Sequence, residues 1–234
     1  MLYLSLLVGL ILIVITTKFT KKLKLSSVWL LVGQISASLI MIMLGNLEIS
    51  HINQIELGYL TIPFSLLFLV GFTNVMNIEK EQKSLILLLP CISLLCLSLS
   101  ALIMGYLFVS ITGICAIVTI MLVLLYGYIL GKKNIGRIVT TSIGFVIAVL
   151  SLSLLKISFV MIYIPLFTLT LPLALFLLIQ NKLTSIQSII ISSIVAILFS
   201  LIMFVIPFTI LWYMVIGLSA ILAISQFSRK HRFI

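Results

Sequence analysis

The sequence contains no aspartate, and acidic residues of any kind are scarce. Its 234 residues include four Asp+Glu against fourteen Lys+Arg, and charged residues amount to only 8% of the chain. Hydrophobic residues make up 63%, so the polar inventory from which a water-soluble surface is built is missing. A soluble globular protein is therefore excluded, and lipid is the predicted solvent for most of the chain.

Catalytic signatures are also missing. The sequence has no phosphate-binding GxxxxGK[ST] loop, no HExxH, no Ser-His-Asp set and no paired catalytic carboxylates. Its three cysteines, Cys91, Cys96 and Cys115, lie in apolar segments without CxxC spacing, which supports neither a disulfide framework nor a metal site. We predict them to be small membrane-buried hydrophobes.

Long apolar runs dominate the chain. A helix needs about 20 apolar residues to cross a bilayer, and runs without alternation exclude a β-barrel. The pattern predicts an all-α, polytopic transmembrane bundle that forms one membrane domain over residues 1–234. Nine helices are expected near 2–17, 27–46, 59–77, 84–101, 106–130, 138–155, 158–180, 184–205 and 208–226.

The uncharged run from 84 to 130 is too long for one span, so a turn near 101–106 is expected to use Gly105. The first segment has its positive cluster after it rather than before it, so it is expected to be a retained helix rather than a signal peptide.

The basic residues sit in short clusters between the apolar runs. If the N-terminus is outside, thirteen of the fourteen become cytoplasmic and only Lys156 is outside. Such a bias predicts a multi-pass protein of the cell membrane with a cytoplasmic C-terminus, and it explains the net charge of +10 without a nucleic-acid partner. The cytoplasmic set is Lys18, Lys21, Lys22, Lys24, Lys80, Lys83, Lys132, Lys133, Arg137, Lys182, Arg229, Lys230 and Arg232.

Three amides interrupt the apolar helices: Gln34, Asn74 and Asn77. The last two are spaced i, i+3 and so share one face near the end of the third helix. Polar groups inside a bilayer usually face the bundle interior. One interpretation is that these amides hydrogen-bond neighbouring helices as packing contacts; the other is that they line a ligand site.

The stretch 60–77, LTIPFSLLFLVGFTNVMN, resembles the polyprenyl-phosphate sugar-1-phosphate transferases that initiate teichoic acid and O-antigen synthesis, relatives of the translocase of peptidoglycan synthesis. Three further stretches follow in the order of that family: KLSSVWLLVGQ at 24–34, Gly136 with GFVIAVLSL at 144–152, and IPLFTLTLP at 164–172. The resemblance covers roughly residues 10 to 185. It implies a fold in which helices surround a cytoplasmic site for a UDP-sugar, a lipid phosphate and magnesium.

The chain departs from that family at every catalytic aspartate. The family's DDxxD loop corresponds to Thr20-Lys21-Lys22-Leu23-Lys24, the two aspartates after NxxN to Lys80 and Lys83, the Gly-Asp motif to Gly136-Arg137, and the PxxD aspartate to Leu175. The histidine-containing loop and the family's first helices have no counterpart. We therefore expect a trimmed version of the fold without its magnesium site, because magnesium requires oxygen ligands and usually carboxylates. Glu79 and Glu81 could replace them, but they are two residues apart and point differently on a helix.

If the fold is kept, the exchanged residues converge on a basic cleft that could bind a lipid phosphate without a metal. The predicted members are Asn74, Asn77, Lys21, Lys24, Lys80, Lys83 and Arg137. The competing interpretation of each lysine is that it fixes topology and attracts anionic lipids.

Three functions compete. The first is a catalytically inactive homologue that binds an anionic lipid, a polyprenyl phosphate, another membrane protein or a second copy of itself, with no cofactor. The second is an active transferase that uses a UDP-sugar and undecaprenyl phosphate. The third is a small transporter or channel subunit, which would need more polar residues along a path than the three amides provide.

Overall fold

We analysed a computed structural model of the chain. It describes residues 1–23, 26–52, 55–76, 82–129, 134–180 and 183–205, and six helical positions between 210 and 217. Nearly all of these residues are helical, and seven helical segments among them are long and apolar enough to cross a membrane. The protein is thus a multi-pass membrane protein with an all-α transmembrane bundle, as the sequence predicted.

The helices follow the predicted order. α1 is Leu2–Lys22, α2 is Ser27–Met43, α3 is Thr61–Val75, α4 is Leu88–Ile103, α5 is Leu107–Ile129, α6 is Arg137–Leu155, α7 is Tyr163–Pro165, α8 is Leu171–Ile179 and α9 is Ser185–Val205. Short 3-10 turns precede α3 at Gly58–Leu60, α4 at Ser84–Leu87 and α7 at Phe159–Ile162. A π-helical turn, Leu166–Thr170, joins α7 to α8, so Val160–Ile179 forms one irregular span. The predicted ninth helix at 208–226 falls mostly outside the described residues.

Two predicted boundaries are wrong. α1 continues to Lys22 rather than stopping at 17, since basic side chains in a last helical turn are favoured by the helix dipole. α2 ends at Met43 rather than 46, because Asn46 has a φ of 50°, which no helix tolerates. The turn between α4 and α5 is confirmed: Gly105 has a φ of 71° and closes it.

The two faces of the bundle differ in charge. On the side where α1, α3 and α5 end lie Lys18, Lys21 and Lys22, and we call it the lysine-rich face. On the opposite side, Lys156 donates a hydrogen bond from Nζ to the carbonyl of Asn46 at 2.8 Å. Lys156 therefore lies with the loop that follows α2, which is the side the charge pattern predicted.

That opposite loop is anchored by a buried hydrogen bond and a short hairpin. The N–H of Ile49 donates to Oγ of Ser65 at 2.9 Å. Strands β1, His51–Ile52, and β2, Ile55–Glu56, pair antiparallel. These contacts fix the start of α3 and thereby the position of its other end.

α6 is the centre of the bundle. α3, α1, α4 and α5 all pack against it, and its residues 147 to 155 are buried without exception. Phe145 is fully buried, and its ring contacts the position of Gly9 on α1 so closely that an added Cβ at Gly9 would lie 2.9 Å from it. The helices that carry the predicted site are therefore held against a common central element.

Candidate functional site

α3 and α6 meet at a glycine. A Cβ added to Gly144 would lie 2.7 Å from the carbonyl oxygen of Thr73 and 3.0 Å from Cβ of Met76. Only glycine allows backbones to approach so closely, a usual device of helix packing in membranes. We call the contact of Thr73, Met76 and Gly144 the α3–α6 seam.

Two predicted site residues lie at the same end of the two helices that form the seam. Asn74 directly follows Thr73, in the last turn of α3, and is half-buried. Arg137 is the first residue of α6 and lies seven residues before Gly144, which is about two turns at 3.6 residues per turn. Arg137 is therefore on the side of α6 that faces α3, and both residues lie at the lysine-rich end of the seam.

A pair of two-residue strands joins the loops at this end. β3, Gln82–Lys83, pairs antiparallel with β4, Asn134–Ile135, and Lys83 is opposite Asn134. The backbone of Lys83 thus lies opposite a residue that is three positions before Arg137 in the chain. The strands themselves were missed, since two residues carry no detectable alternation of polarity.

The start of α6 is suited to an anion. Gly136 is the N-cap and supplies no capping side chain, and the first turn contains no acid. The N–H groups of a first turn carry the positive end of the helix dipole; here the N–H of Val139 donates to the carbonyl of Gly136 at 3.1 Å, which leaves those of Arg137 and Ile138 nearest the helix end. Thr140 and Thr141 donate their hydroxyls to the carbonyl of Arg137, at 3.0 and 2.8 Å, so these hydroxyls lie beside the first turn.

The two described amides behave differently. Asn74 donates from Nδ2 to the carbonyl of Val70, one turn back on its own helix, at 3.0 Å. This bond does not link two helices. Gln34 is only 1% exposed, and neither of its amide atoms has a hydrogen-bond partner among the described residues. A buried amide without partners costs about 1–3 kcal/mol, so Gln34 is the least satisfied polar side chain of its helix.

Lys21 is not on the seam. α1 contacts α6 through Gly9, and Lys21 lies twelve residues later, about a third of a turn beyond three whole turns. It is exposed at the lysine-rich face, on a different side of α1. The remaining predicted members, Asn77, Lys24, Lys80 and the side chain of Lys83, lie outside the described residues, as do Glu79 and Glu81.

Acidic side chains within the described part of the chain are on the other face. Glu48 and Glu56 belong to the loop between α2 and α3. In the ranges that the structure describes, no three His, Cys, Asp or Glu side chains group in a way that could hold a metal ion. The cysteines are free thiols within two apolar spans; Cys91 and Cys96 are buried in the bundle, whereas Cys115 is exposed on α5.

Comparison with known proteins adds no relative. A scan against protein-family models gives no match, and a search of curated proteins gives none either. The resemblance to the sugar-1-phosphate transferases therefore stays a prediction from the motifs.

Proposed function

We propose that this protein is a catalytically inactive homologue of the polyprenyl-phosphate sugar-1-phosphate transferases, and that it binds the phosphate of a polyprenyl lipid at the lysine-rich end of the α3–α6 seam. The observation that carries the proposal is the position of Asn74 and Arg137 at one end of a seam that Gly144 holds closed. The paired strands β3 and β4 hold the backbone of Lys83 opposite Asn134, three residues before Arg137.

The chemistry of this end suits a phosphate. A guanidinium binds phosphate oxygens through two parallel hydrogen bonds, and Arg137 stands where the first N–H groups of α6 add further donors. Asn74 lies in the last turn of α3 at the same end of the bundle, about 100° round the helix from Thr73. A phosphate bound here needs no magnesium, because its charge is neutralised by Arg137 and the helix dipole.

Loss of the reaction follows from the residues at the aspartate positions. Lys21, Lys80, Lys83 and Arg137 stand where the resembled family has metal-binding acids. Cationic side chains provide no oxygen ligand and repel a divalent ion. Binding of the lipid substrate can outlive such exchanges, whereas metal-dependent phosphoryl transfer cannot.

The charge pattern supports a location for this activity. With the lysine-rich face in the cytoplasm of the cell membrane, the site faces the leaflet from which cytoplasmic enzymes draw lipid phosphates. The protein would then act as an accessory or regulatory subunit in cell-envelope polysaccharide synthesis.

The test is binding of fluorescent undecaprenyl phosphate to the purified full chain in nanodiscs. We expect saturable binding that EDTA leaves unchanged and that Arg137→Ala weakens. Lys156→Ala is the matched control, because it removes the same charge from the opposite face. No saturable binding by the parent protein, or equal binding by both variants, would contradict the proposal.

A second measurement separates binding from catalysis. The same nanodiscs are supplied with UDP-N-acetylglucosamine, undecaprenyl phosphate and magnesium, and release of UMP is followed. We expect none above the background of empty nanodiscs. Magnesium-dependent UMP release would instead identify an active transferase.

A further inference from the structure

A groove runs between α1, α5 and α6 on the side of α6 that faces away from the seam. Its volume is about 460 Å³. α6 contributes Ile138, Ser142 and Val146 to it, and Ser142 lies five residues after Arg137, about 140° around the helix. The groove and the seam are therefore separate features on two sides of one helix.

Small side chains make the groove deep on the α5 side. Thr112, Cys115, Ala116 and Thr119 line it at helical spacing. Leu6, Leu10 and Val14 of α1 form the facing wall. Apart from the small hydroxyls of Thr112, Thr119 and Ser142, the walls are hydrocarbon and sulfur, which suits a hydrocarbon chain.

Aromatic rings of α1 and α5 meet about one turn beyond the residues that line the groove. Tyr3, one turn before Leu6, meets Phe108, one turn before Thr112, with ring centroids 4.9 Å apart in an edge-on contact. Tyr106 packs against the same Phe108 at 6.5 Å. Burial raises the pKa of Tyr106, and the neighbouring Tyr3 raises it further. Because the rings of Tyr3 and Phe108 meet at this end, an occupant enters from the other end or from the side.

Lysines stand at the open end. Lys21 lies eleven residues after the groove-lining Leu10, which is close to three whole turns, so it is on the same stripe of α1 as the groove wall. Lys18 and Lys22 flank it further round the helix, and all three are exposed. On α1 the groove wall ends at Val14, and Lys21 lies seven residues, about 10 Å, beyond it on the same side of the helix.

We infer that this groove binds an anionic phospholipid of the bilayer, with one acyl chain along the groove and the phosphate at Lys21. From Lys21 to Leu6 the stripe is roughly 22 Å long at 1.5 Å per residue. This exceeds the roughly 15 Å of hydrocarbon in one leaflet, so the bound chain is extended. The second chain stays in the bilayer beside the exposed Leu7 and Ile11.

The dimensions favour a single hydrocarbon chain over a whole helix inside the groove. A helix about 10 Å across and 22 Å long fills roughly 1,700 Å³, which is more than the empty space of about 1,040 Å³ in the groove. The rings of Tyr3 and Phe108 would also stop a helix before it crossed the outer face. The inference does not rest on the proposed function, because Arg137 and Asn74 are on the other side of α6.

The test uses the full chain in nanodiscs that contain phosphatidylglycerol and phosphatidylcholine in equal amounts, with retained lipids identified by native mass spectrometry after release. We expect one phosphatidylglycerol per chain to be retained. Lys21→Gln should lower its retention about tenfold, as loss of a hydrogen bond to a charged group predicts. Lys22→Gln is the matched control, since it removes the same charge one residue further round α1.

A second pair of variants tests the chain-binding wall. Ala116→Leu fills the groove and should abolish retention, whereas Val118→Leu, on the lipid-facing side of α5, should not change it. Circular dichroism and thermal unfolding show whether each variant is folded. Equal retention by folded Ala116→Leu and Val118→Leu, equal retention by the two lysine variants, or a dimer mass in place of a lipid adduct would overturn the inference.

Undecaprenyl phosphate added to the same nanodiscs separates the two sites. The inference predicts that phosphatidylglycerol stays bound when undecaprenyl phosphate binds, and that Arg137→Ala does not affect it. Displacement of phosphatidylglycerol by undecaprenyl phosphate would show that the groove belongs to the polyprenyl lipid and would overturn the inference.

Discussion

The two sides of α6 differ in how closely the neighbouring helices pack against them. On the seam side, Gly144 lets the backbone of α3 approach until an added methyl group would clash with the carbonyl of Thr73. On the groove side, small residues of α5 such as Ala116 line a groove between α5, α1 and α6. Small side chains therefore have two different uses in this bundle: one closes a contact and positions polar groups, and the other leaves space for a ligand.

The largest effect is expected at the seam. Gly144→Ala adds a Cβ within 2.7 Å of a backbone oxygen that cannot move aside, and overpacking of this kind costs about 1–3 kcal/mol. Thermal unfolding in detergent micelles should show a lower Tm. Gly71→Ala on α3 is the control, because its added Cβ meets nothing within 4 Å, so it should leave Tm unchanged or raise it. Equal Tm values for both variants would contradict the close approach.

The two proposed sites for anionic lipids should depend on different basic side chains. Arg137→Ala is expected to weaken undecaprenyl phosphate binding about 10- to 100-fold, since a hydrogen bond to a charged group contributes about 1.5–3 kcal/mol. Lys21→Gln is expected to leave that binding within twofold. Binding isotherms in nanodiscs measure both. An equal loss in the two variants would show that Arg137 and Lys21 belong to one binding site.

The variant Gln34→Leu tests whether the buried amide of α2 contributes to helix packing or to ligand binding. Replacing a buried amide that lacks partners by an apolar residue of similar size is neutral or stabilising, so Gln34→Leu should keep or raise Tm. If the amide contacts the bound lipid phosphate or its water, undecaprenyl phosphate binding should fall in the same variant. A clear drop in Tm would instead mean that the amide has a structural partner.

The smallest effect on stability is expected in the groove. Ala116→Leu fills space that no side chain occupies. Its free energy of unfolding in detergent should therefore differ from that of the parent by no more than a surface substitution causes, about 0.5 kcal/mol. Comparison with Gly144→Ala on the same unfolding assay gives the contrast between the two sides of α6. A loss as large as that of Gly144→Ala would show that α5 packs more tightly there than the groove implies.

The sequence predicted the helices well because each span must satisfy its backbone within lipid. Gly105 and the charge clusters were sufficient to divide the run from 84 to 130 and to place Lys156 on its own face. The irregular turn at Leu166–Thr170 was not predicted, since hydropathy is the same for α- and π-helical backbone. Neither were β3 and β4, which are too short to show a period.

The candidate site stays a prediction. The backbone of Lys83 pairs with that of Asn134, three residues before Arg137, and Asn74 lies in the last turn of α3 on the same side of the bundle. Lys21 was placed in the same cleft, but the structure puts it on a different side of α1. A single sequence could not show this, because the side on which α1 packs depends on Gly9 meeting Phe145.

By itself the sequence determined that this chain is a multi-pass membrane protein, the order of its spans, and that it contains no aspartate. Only the tertiary structure decided that Gly144 closes a seam and that Ala116 lines a groove. The physical reason lies in the solvent. Hydropathy separates lipid from water, but inside a bilayer a surface that packs on a helix and one that faces lipid are equally apolar, and only shape distinguishes them.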